Sequence, residues 1–367
     1  MKILKYQFTS DNWNFSPINF QNINLLVGDS GSGKTRLLNT IFNIGAIVAQ
    51  NKMRGEGEWH ISLGVDDNIY EWEIKIVGKE EEQKIVNEIL YLNEKKLFER
   101  KNEICVFNDQ ELPKLSNKEI LIYLFREDEK IKPIYEGFAS ILRRSFFHDE
   151  LEKNSAIYGV NFHHLDKIGK KRDLYELYKL DLGLNPKLFI LFNYFPEIYQ
   201  KINEIYLDTF DFISEIKILQ SEDFPDLRIP GQTPIWCIKE NNLDEFIRLD
   251  QLSSGMQKVL LIITDILTLP NGGIYLLDEY ENSLGVGSIS FLPDLLSTEN
   301  FTNQIIFTSH HPYIISNFPV NYWYVVNRKG SEVNFTYGKE LTERYDLSSQ
   351  EKYIQLLNDP IYNEGVK

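Results

Sequence analysis

The stretch INLLVGDSGSGKTRLL, from Ile23 to Leu38, joins an apolar run to a glycine-rich loop and then to a helical pattern. Ile23–Val27 has the length and composition of a buried strand. A helix is predicted from Lys34 to Ala49, because apolar side chains recur there at helical spacing, at Leu37, Leu38, Ile41, Ile44 and Ile47. The sequence therefore predicts a strand, a tight loop and a helix in immediate succession.

The loop GDSGSGKT, at Gly28–Thr35, matches the pattern G-x-x-x-x-G-K-[ST] of a phosphate-binding loop, or P-loop. In this pattern the glycines let backbone N–H groups approach phosphate oxygens, Lys34 neutralises the β- and γ-phosphates, and the Thr35 hydroxyl binds Mg²⁺. The alternative is a plain glycine-rich turn, but the flanking strand and helix favour the P-loop. The predicted ATP-binding residues here are Gly28, Asp29, Ser30, Gly31, Ser32, Gly33, Lys34, Thr35 and Arg36.

A second apolar strand, within GGIYLLDEYENSLG at Gly272–Gly285, ends in two acids. Asp278 suits Mg²⁺, and Glu279 suits a general base that activates the attacking water. Adjacent carboxylates at a strand end are costly unless a cation and a substrate share the site. The pattern is weak alone and becomes stronger after a P-loop. Gln110, which follows the strand-like ICVFND, is a further candidate, as a glutamine that links Mg²⁺ to the predicted helical part of the chain.

A third apolar strand, within QIIFTSHHPYII at Gln304–Ile315, ends in two histidines. We predict that His310 reaches the γ-phosphate of ATP and helps to orient the water. The alternatives for His310 are a metal site, which lacks further ligands nearby in the sequence, and a structural histidine. A structural role is favoured for His311 and for the pair His163–His164.

The rest of the chain indicates an α/β fold with two further parts. Short alternating runs between Trp59 and Asn108 predict an antiparallel sheet. Helical patterns prevail over residues 113–210. After Phe246 the order helix, strand, helix, strand favours a parallel α/β sheet, with helices at Ser254–Leu267 and Val286–Leu296. The predicted segments are 1–112 and 211–340 as two halves of one core, 113–210 as a helical insertion, and 341–367 as a tail.

The stretch QLSSGMQK, at Gln251–Lys258, places two serines and a glycine at the start of a predicted helix. Ser253, Ser254 and Gly255 can bind a phosphate there, although a plain serine cap is the alternative. The order of P-loop, serine-glycine loop, Asp-Glu strand and histidine strand resembles the ABC ATPases, whose signature motif reads LSGGQ or LSxGxxK. The resemblance implies a P-loop NTPase with an ABC-ATPase core, an antiparallel β lobe and a helical insertion.

In the ABC ATPases the signature loop caps the γ-phosphate of ATP that is bound by a second subunit. The resemblance therefore implies that two chains sandwich two molecules of ATP, with Mg²⁺ at Thr35 and Asp278. Hydrolysis, with Glu279 as the base, then releases the dimer. Because the chain contains one set of motifs, the resemblance implies a homodimer or a higher oligomer.

The opening FSPINFQNINLLVGDSGSGKT, at Phe15–Thr35, is similar to the SMC, RecF and OLD branch of these ATPases, with Ser30 where that branch usually has asparagine. The chain looks like the stand-alone ATPases of bacterial anti-phage systems such as Septu. That likeness implies control of a separate nuclease protein. Two alternatives stay open: a DNA-repair or chromosome-associated ATPase that binds DNA itself, and the motor subunit of a transporter.

Composition limits the partners and the compartment. The net charge of −15 opposes a surface that binds a nucleic-acid backbone throughout. The run KIGKKRD, at Lys167–Asp173, is the best candidate for a local DNA-binding patch, although a solvated loop is favoured. There is no signal-peptide pattern and no apolar run of the roughly 20 residues that a membrane span needs. Cys105 and Cys237 are too few for a disulfide framework, so we predict buried free thiols in a cytoplasmic protein without a membrane part.

Overall fold

The chain forms two compact units. The first unit comprises Met1–Arg144, Asn271–Tyr280 and Phe301–Lys367, and the second comprises Ser145–Pro270 and Glu281–Asn300. The predicted core, insertion and tail have other boundaries and stay a prediction. The computed structural model describes residues 1–79, 82–145, 162–180, 182–227, 233–282, 284–285, 288–298, 302–341, 349–358 and 362.

The strands and helices are numbered in chain order. The strands of the described residues are β1 (Lys2–Ser10), β2 (Trp13–Asn19), β3 (Ile23–Val27), β4 (Gly57–Val65), β5 (Asn68–Val77), β6 (Lys84–Leu92), β7 (Lys95–Lys101), β8 (Ile104–Phe107), β9 (Gln110–Glu111), β10 (Ile141–Arg144), β11 (Ile213–Gln220), β12 (Pro234–Glu240), β13 (Phe246–Arg248), β14 (Ile274–Leu277), β15 (Gln304–Thr308), β16 (Trp323–Lys329) and β17 (Glu332–Tyr337). The α-helices of the described residues are α1 (Lys34–Gln50), α2 (Leu121–Leu124), α3 (Lys132–Ala139), α4 (Phe162–Gly169), α5 (Leu174–Lys179), α6 (Leu184–Tyr194), α7 (Pro196–Thr209), α8 (Ser254–Thr268), α9 (Phe291–Thr298), α10 (Pro312–Asn317) and α11 (Ser349–Asn358).

The first unit contains one large mixed sheet. Across the described residues this sheet has fourteen strands, in the order β10-β14-β15-β3-β16-β17-β2-β1-β4-β5-β6-β7-β8-β9. The five strands from β10 to β16 in this order are mutually parallel. Every residue of β3, β14 and β15 is buried, as expected for parallel strands that are covered on both faces. Their carboxyl ends lie at one edge, where the predicted motifs begin.

The other half of the sheet is an antiparallel meander that runs from β4 to β9. Its tight turns explain the order of the strands. Asn93 and Glu94, and likewise Asn108 and Asp109, have positive φ at both central positions, which is the signature of the type I′ turn that joins adjacent antiparallel strands. The predicted antiparallel lobe is therefore confirmed.

Helix α1 packs against α3 and against strands β10, β14 and β15. Its predicted apolar face is confirmed, because all five leucines and isoleucines of that face are buried. Helices prevail among the described residues of 113–210, as predicted. Strand β10 departs from this prediction, because it pairs in parallel with β14 at the edge of the sheet. The short run ILRR gives no periodic signal, so only the tertiary pairing reveals this strand.

The second unit packs helices around a small antiparallel sheet of β11, β12 and β13. Helix α6 contacts α4, α7 and α8, and the Lys187 ammonium on α6 forms a buried 3.2 Å ion pair with Asp265 on α8. Trp236 of β12 is fully buried against Tyr206 of α7. The helix predicted at Val286–Leu296 begins later, at Phe291, and residues 286–287 lie outside the described residues.

Two further features are the apolar length of the helices and the state of the cysteines. In the part of the chain that the structure describes, no helix is long and apolar enough to cross a bilayer. Cys105 and Cys237 are buried free thiols, as predicted.

Glu88, on β6, is a fully buried carboxylate that holds the start of a helix. Its oxygens accept the N–H of Leu121, the first residue of α2, at 3.1 and 3.0 Å. The buried Arg100 guanidinium lies 4.0 Å away on the neighbouring strand β7. Burial raises the pKa of Glu88 to about 7, although Arg100 and the backbone N–H groups act in the opposite direction.

The raised pKa of Glu88 gives the folded state a predictable pH dependence. The contribution of Glu88 to the free energy of unfolding is fully present below its ordinary pKa of 4.5 and is lost as pH rises through about 7. Glu88→Gln stays neutral, so its melting temperature should fall less across this window, by about 5 °C. Calorimetry at pH 5 and pH 8 measures this difference. Glu103→Gln, which alters an exposed carboxylate, is the control, and equal pH dependence in Glu88→Gln and natural protein would contradict the prediction.

Candidate nucleotide-binding site

The P-loop, Gly28–Thr35, connects β3 to α1. Two of its glycines are required by geometry. Gly33 precedes the helix with φ 107°, a left-handed conformation that L side chains rarely adopt. At Gly28 a Cβ would lie 2.4 Å from the Val326 carbonyl oxygen of β16. The loop therefore presents backbone N–H groups at the N-terminus of α1, which is an arrangement that binds anions.

Lys34 holds this loop together from within. Its buried ammonium donates to the carbonyl oxygens of Gly28 at 2.7 Å and Asp29 at 2.8 Å, and to Ser32 Oγ at 3.3 Å. A buried ammonium needs such acceptors. The same group is thus placed in the loop, where it can neutralise bound phosphate.

Asp278, directly after β14, connects the end of that strand to the P-loop. Its Oδ1 accepts the Thr35 hydroxyl at 3.1 Å and the Thr308 hydroxyl at 2.9 Å. Its Oδ2 lies 3.5 Å from Arg143 Nη2 on β10. A carboxylate and a hydroxyl beside a phosphate-binding loop are the hard oxygen donors with which Mg²⁺ is usually held, together with phosphate oxygens. Thr35 and Asp278 therefore fit Mg²⁺.

Glu279 occupies an unusual backbone conformation directly after Asp278. Its φ is 47°, a left-handed value that costs a non-glycine residue about 1–3 kcal/mol. The Glu279 N–H donates to Thr308 Oγ1 at 2.7 Å. Thr308 thus accepts from Glu279 and donates to Asp278, so that one hydroxyl orients both acidic residues. The Glu279 side chain is 45% exposed and is accessible to water.

His310 lies near Glu279, and His311 does not take part. Nε2 of His310 is 3.9 Å from Glu279 Oε1, with the His310 side chain 35% exposed. Among the described residues, no group of three or more His, Cys, Asp or Glu side chains could hold a metal ion. His311 caps α10, because its Nδ1 accepts the Tyr313 N–H at 3.2 Å, and its predicted structural role is confirmed. His163 and His164 are exposed on α4.

The serine-glycine loop begins helix α8 in the second unit. Ser253 is the N-cap, and its Oγ accepts the Met256 N–H at 3.3 Å. Further along the helix, the buried Lys258 ammonium donates to the Asn282 carbonyl oxygen at 2.7 Å. The start of the helix faces an open cavity of about 650 Å³. Its lining residues are Asp208, Thr209, Phe210, Asp211, Phe212, Ser253, Ser254, Gly255, Met256, Gly285 and Ser288.

Trp13 lies beside the P-loop, a position that the sequence does not reveal. The Arg328 guanidinium lies 4.1 Å from the indole centroid and that of Arg36 lies 5.6 Å from it. A Cβ on Gly33 would lie 3.4 Å from the Trp13 ring. An indole beside two cations and the P-loop offers a flat surface for an aromatic base. No spacing rule connects these residues in the sequence, because they lie on β2, α1 and β16.

The structure does not bring Gln110 to the other candidates. It is exposed and lies on β9, the outermost strand of the antiparallel half of the sheet. Nine strands of the described sheet separate β9 from β3, which leads into the P-loop. The position is explained by the Asn108–Asp109 turn, which folds Gln110 back opposite Phe107. The geometry thus gives no support for a role of Gln110 in binding Mg²⁺.

A family model described as "AAA domain, putative AbiEii toxin, Type IV TA system" matches residues 23–316, which include all four motifs. No curated protein sequence matches the chain. The fold is similar to that of the SmcHead bound to the C-winged helix domain of ScpA, with 13% identity, coverage of 91% of this chain and 96% of that chain, and a TM-score of 0.55.

A second similar structure is the Smc head domain with an extended coiled coil, bound to the C-terminal domain of ScpA derived from Pyrococcus furiosus. It has 13% identity, covers 94% of this chain and 98% of that chain, and gives a TM-score of 0.52. Likeness at this identity concerns the fold alone. It confirms the predicted α/β fold with an ABC-ATPase core.

Proposed function

Because the chain belongs to the family described as "AAA domain, putative AbiEii toxin, Type IV TA system", we propose that it binds Mg-ATP at the P-loop and hydrolyses it. The observation that carries this proposal is the 3.1 Å hydrogen bond from Thr35 to Asp278. It joins the P-loop to the acidic strand through the two side chains that would hold Mg²⁺. When bound, Mg²⁺ would neutralise charge on the β- and γ-phosphates.

Each end of ATP has a candidate partner in the first unit. The N–H groups of Gly28–Arg36 and the Lys34 ammonium bind the phosphates, and the Trp13 ring supports the base. Glu279 accepts a proton from the attacking water, while Thr308 fixes the backbone that carries Glu279. His310 lies close enough to Glu279 to orient the same water.

The serine-glycine loop supplies the second half of the proposed site, from another copy of the chain. Ser253, Ser254 and Gly255 begin a 15-residue helix, and their N–H and hydroxyl groups would bind the γ-phosphate held by the partner's P-loop. Two chains would then enclose two molecules of ATP. The support for this arrangement is the motif order and the ABC-type fold.

The arrangement is tested by mixing two inactive variants. Lys34→Ala removes phosphate binding but leaves the serine-glycine loop intact. Ser253→Asp retains a good N-cap for α8 and places a carboxylate where the partner's phosphate should lie, so it should bind ATP without hydrolysing it. An equimolar mixture should regain up to about half of the natural ATPase rate, because only mixed dimers can then form around ATP and each has one complete site of two.

The mixing experiment has a clear negative result. If the serine-glycine loop serves the P-loop of its own chain, every subunit in the mixture keeps its defect and no activity returns. Each variant at doubled concentration is the control for residual activity. Unchanged hydrolysis by Ser253→Asp alone would also exclude a phosphate-binding role for this loop.

We propose further that the ATP-bound dimer controls a separate nuclease in the cytoplasm, as part of anti-phage defence. The support is the resemblance to stand-alone defence ATPases, together with a family description that names a toxin. The second candidate is a DNA-binding ATPase of the RecF or SMC type, supported by the shape of the fold. The basic run Lys167–Asp173 gives this second candidate little support, because the Lys170 ammonium forms an ion pair with Asp166 at 2.6 Å.

A further inference from the structure

Arg143 is a charged residue of the candidate site to which the proposed function assigns no role. It lies near the end of β10, and the Arg144 carbonyl oxygen accepts the Asp278 N–H at 2.9 Å. Parallel pairing of β10 with β14 therefore brings the ends of both strands level. The Arg143 side chain reaches Asp278 Oδ2 at 3.5 Å and is 18% exposed.

Within the part of the chain that the structure describes, the Arg143 guanidinium lacks hydrogen-bond acceptors for some of its N–H groups in this position. Nε of Arg143 is buried and has no hydrogen-bond partner among the described residues. The 3.5 Å contact from Nη2 lies at the limit of hydrogen bonding. A buried N–H without an acceptor is costly, and a guanidinium cannot lose its charge at ordinary pH. The unmet donor therefore indicates that an acceptor is missing from this arrangement.

The order of the strands indicates which acceptor fits. Along one edge of the sheet, the order runs from β2 with Trp13, through β3 with the P-loop, to β14 with Asp278 and Glu279, and finally to β10 with Arg143. A nucleotide with its base at Trp13 and its phosphates in the P-loop points its terminal phosphate towards β14. Arg143 lies on the far side of β14 from the P-loop, so the terminal phosphate is the part of such a nucleotide that lies nearest to it.

We propose that Arg143 binds the γ-phosphate of ATP within the same chain and thereby distinguishes ATP from ADP. This inference rests on the proposed function. Without ATP the guanidinium stays beside Asp278 and balances its charge. With ATP bound it turns from Asp278 to the terminal phosphate, where its forked N–H groups match phosphate oxygens. The carboxylate of Asp278 is then free for Mg²⁺.

The test compares the dissociation constants of ATP and ADP for Arg143→Gln, by calorimetry with Mg²⁺ present. Both are measured in chains that also carry Ser253→Asp, so that dimerisation does not add to the affinity. Arg143→Gln should weaken ATP binding about 30-fold and alter ADP binding less than about 3-fold. Arg143→Lys, which keeps the charge without the fork, should restore part of the preference for ATP. Arg144→Gln, which removes the same charge from the other face of the strand, is the matched control.

The outcomes separate the inference from the proposed function. Equal weakening of ATP and ADP, or no weakening of either, would overturn the role of Arg143 while ATP binding by the parent protein stands. Loss of preference in Arg144→Gln but not in Arg143→Gln would also overturn it. If Arg143→Gln does not fold, Arg143→Lys provides the test. A preference for ATP over ADP in Arg143→Lys as large as in the parent protein would then contradict the inference. Failure of the parent protein to bind either nucleotide would refute the proposed function itself.

Discussion

Lys34→Ala protein should bind ATP at least about 100-fold more weakly than the natural chain. Two losses add in this variant. The phosphates lose their closest cation, and the carbonyl oxygens of Gly28 and Asp29 lose the ammonium that they share. The P-loop therefore loses both charge and order. Isothermal calorimetry with ATP and Mg²⁺ measures the change.

Two controls for Lys34→Ala show whether the loss of affinity comes from the P-loop itself, rather than from the removal of any positive charge or from unfolding. Lys52→Ala removes an exposed cation just beyond the end of α1 and should leave the affinity unchanged. Thermal unfolding shows whether the first unit still folds, since Lys34 is only 5% exposed and its removal leaves a small cavity. Ordinary ATP affinity in a folded Lys34→Ala protein would refute the P-loop role.

Glu279→Gln should retain ATP binding within about 3-fold and lose hydrolysis by about 10²- to 10³-fold. Glutamine keeps the size of the side chain and the backbone N–H that Thr308 accepts, but it cannot take a proton from water. Asp278→Asn provides the contrast, because it weakens the Mg²⁺ site and should reduce both binding and hydrolysis. Normal hydrolysis by Glu279→Gln would place the base elsewhere.

Because ATP persists in this variant, Glu279→Gln should accumulate as a dimer with Mg-ATP. Native mass measurement on tagged protein from its natural cells reports the dimer and whatever it holds. A nuclease with two or more copies of the chain would support the defence role. Bound DNA that is lost at high salt would favour the second candidate, and a monomer would contradict the ATP sandwich.

The P-loop and the acidic strand could be predicted from sequence because their chemistry is local. Lys34 and Thr35 lie at fixed positions after a strand, so their spacing identifies them. Asp278 follows another buried strand, a pattern that is weak alone and becomes specific beside a P-loop. The 3.1 Å contact between Thr35 and Asp278 confirms that the two motifs meet. The apolar face of α1 was predictable for the same reason, since helical periodicity needs no knowledge of the partner.

The residues that escaped prediction act through tertiary contacts. In the sequence, Thr308 is simply the last residue of an apolar strand. Its hydrogen bonds to Asp278 and Glu279 depend on β14 lying beside β15. Trp13 and Arg328 meet only through the sheet. Gln110 was assigned to Mg²⁺ because it follows a strand, as such a ligand should. The same stretch contains the Asn108–Asp109 turn, a local hairpin signal that places Gln110 far along the sheet.

The strand order of the first unit also determines when the site can form during synthesis. The meander from β4 to β9 joins neighbours in the sequence, so it can fold as soon as it emerges from the ribosome. The parallel half instead gathers strands from distant stretches, with β3 at Ile23–Val27 lying between β15 at Gln304–Thr308 and β16 at Trp323–Lys329. Until β16 has been made, the P-loop lacks the strand that Gly28 contacts. We therefore expect the proposed nucleotide site to form only after β16 has been synthesised.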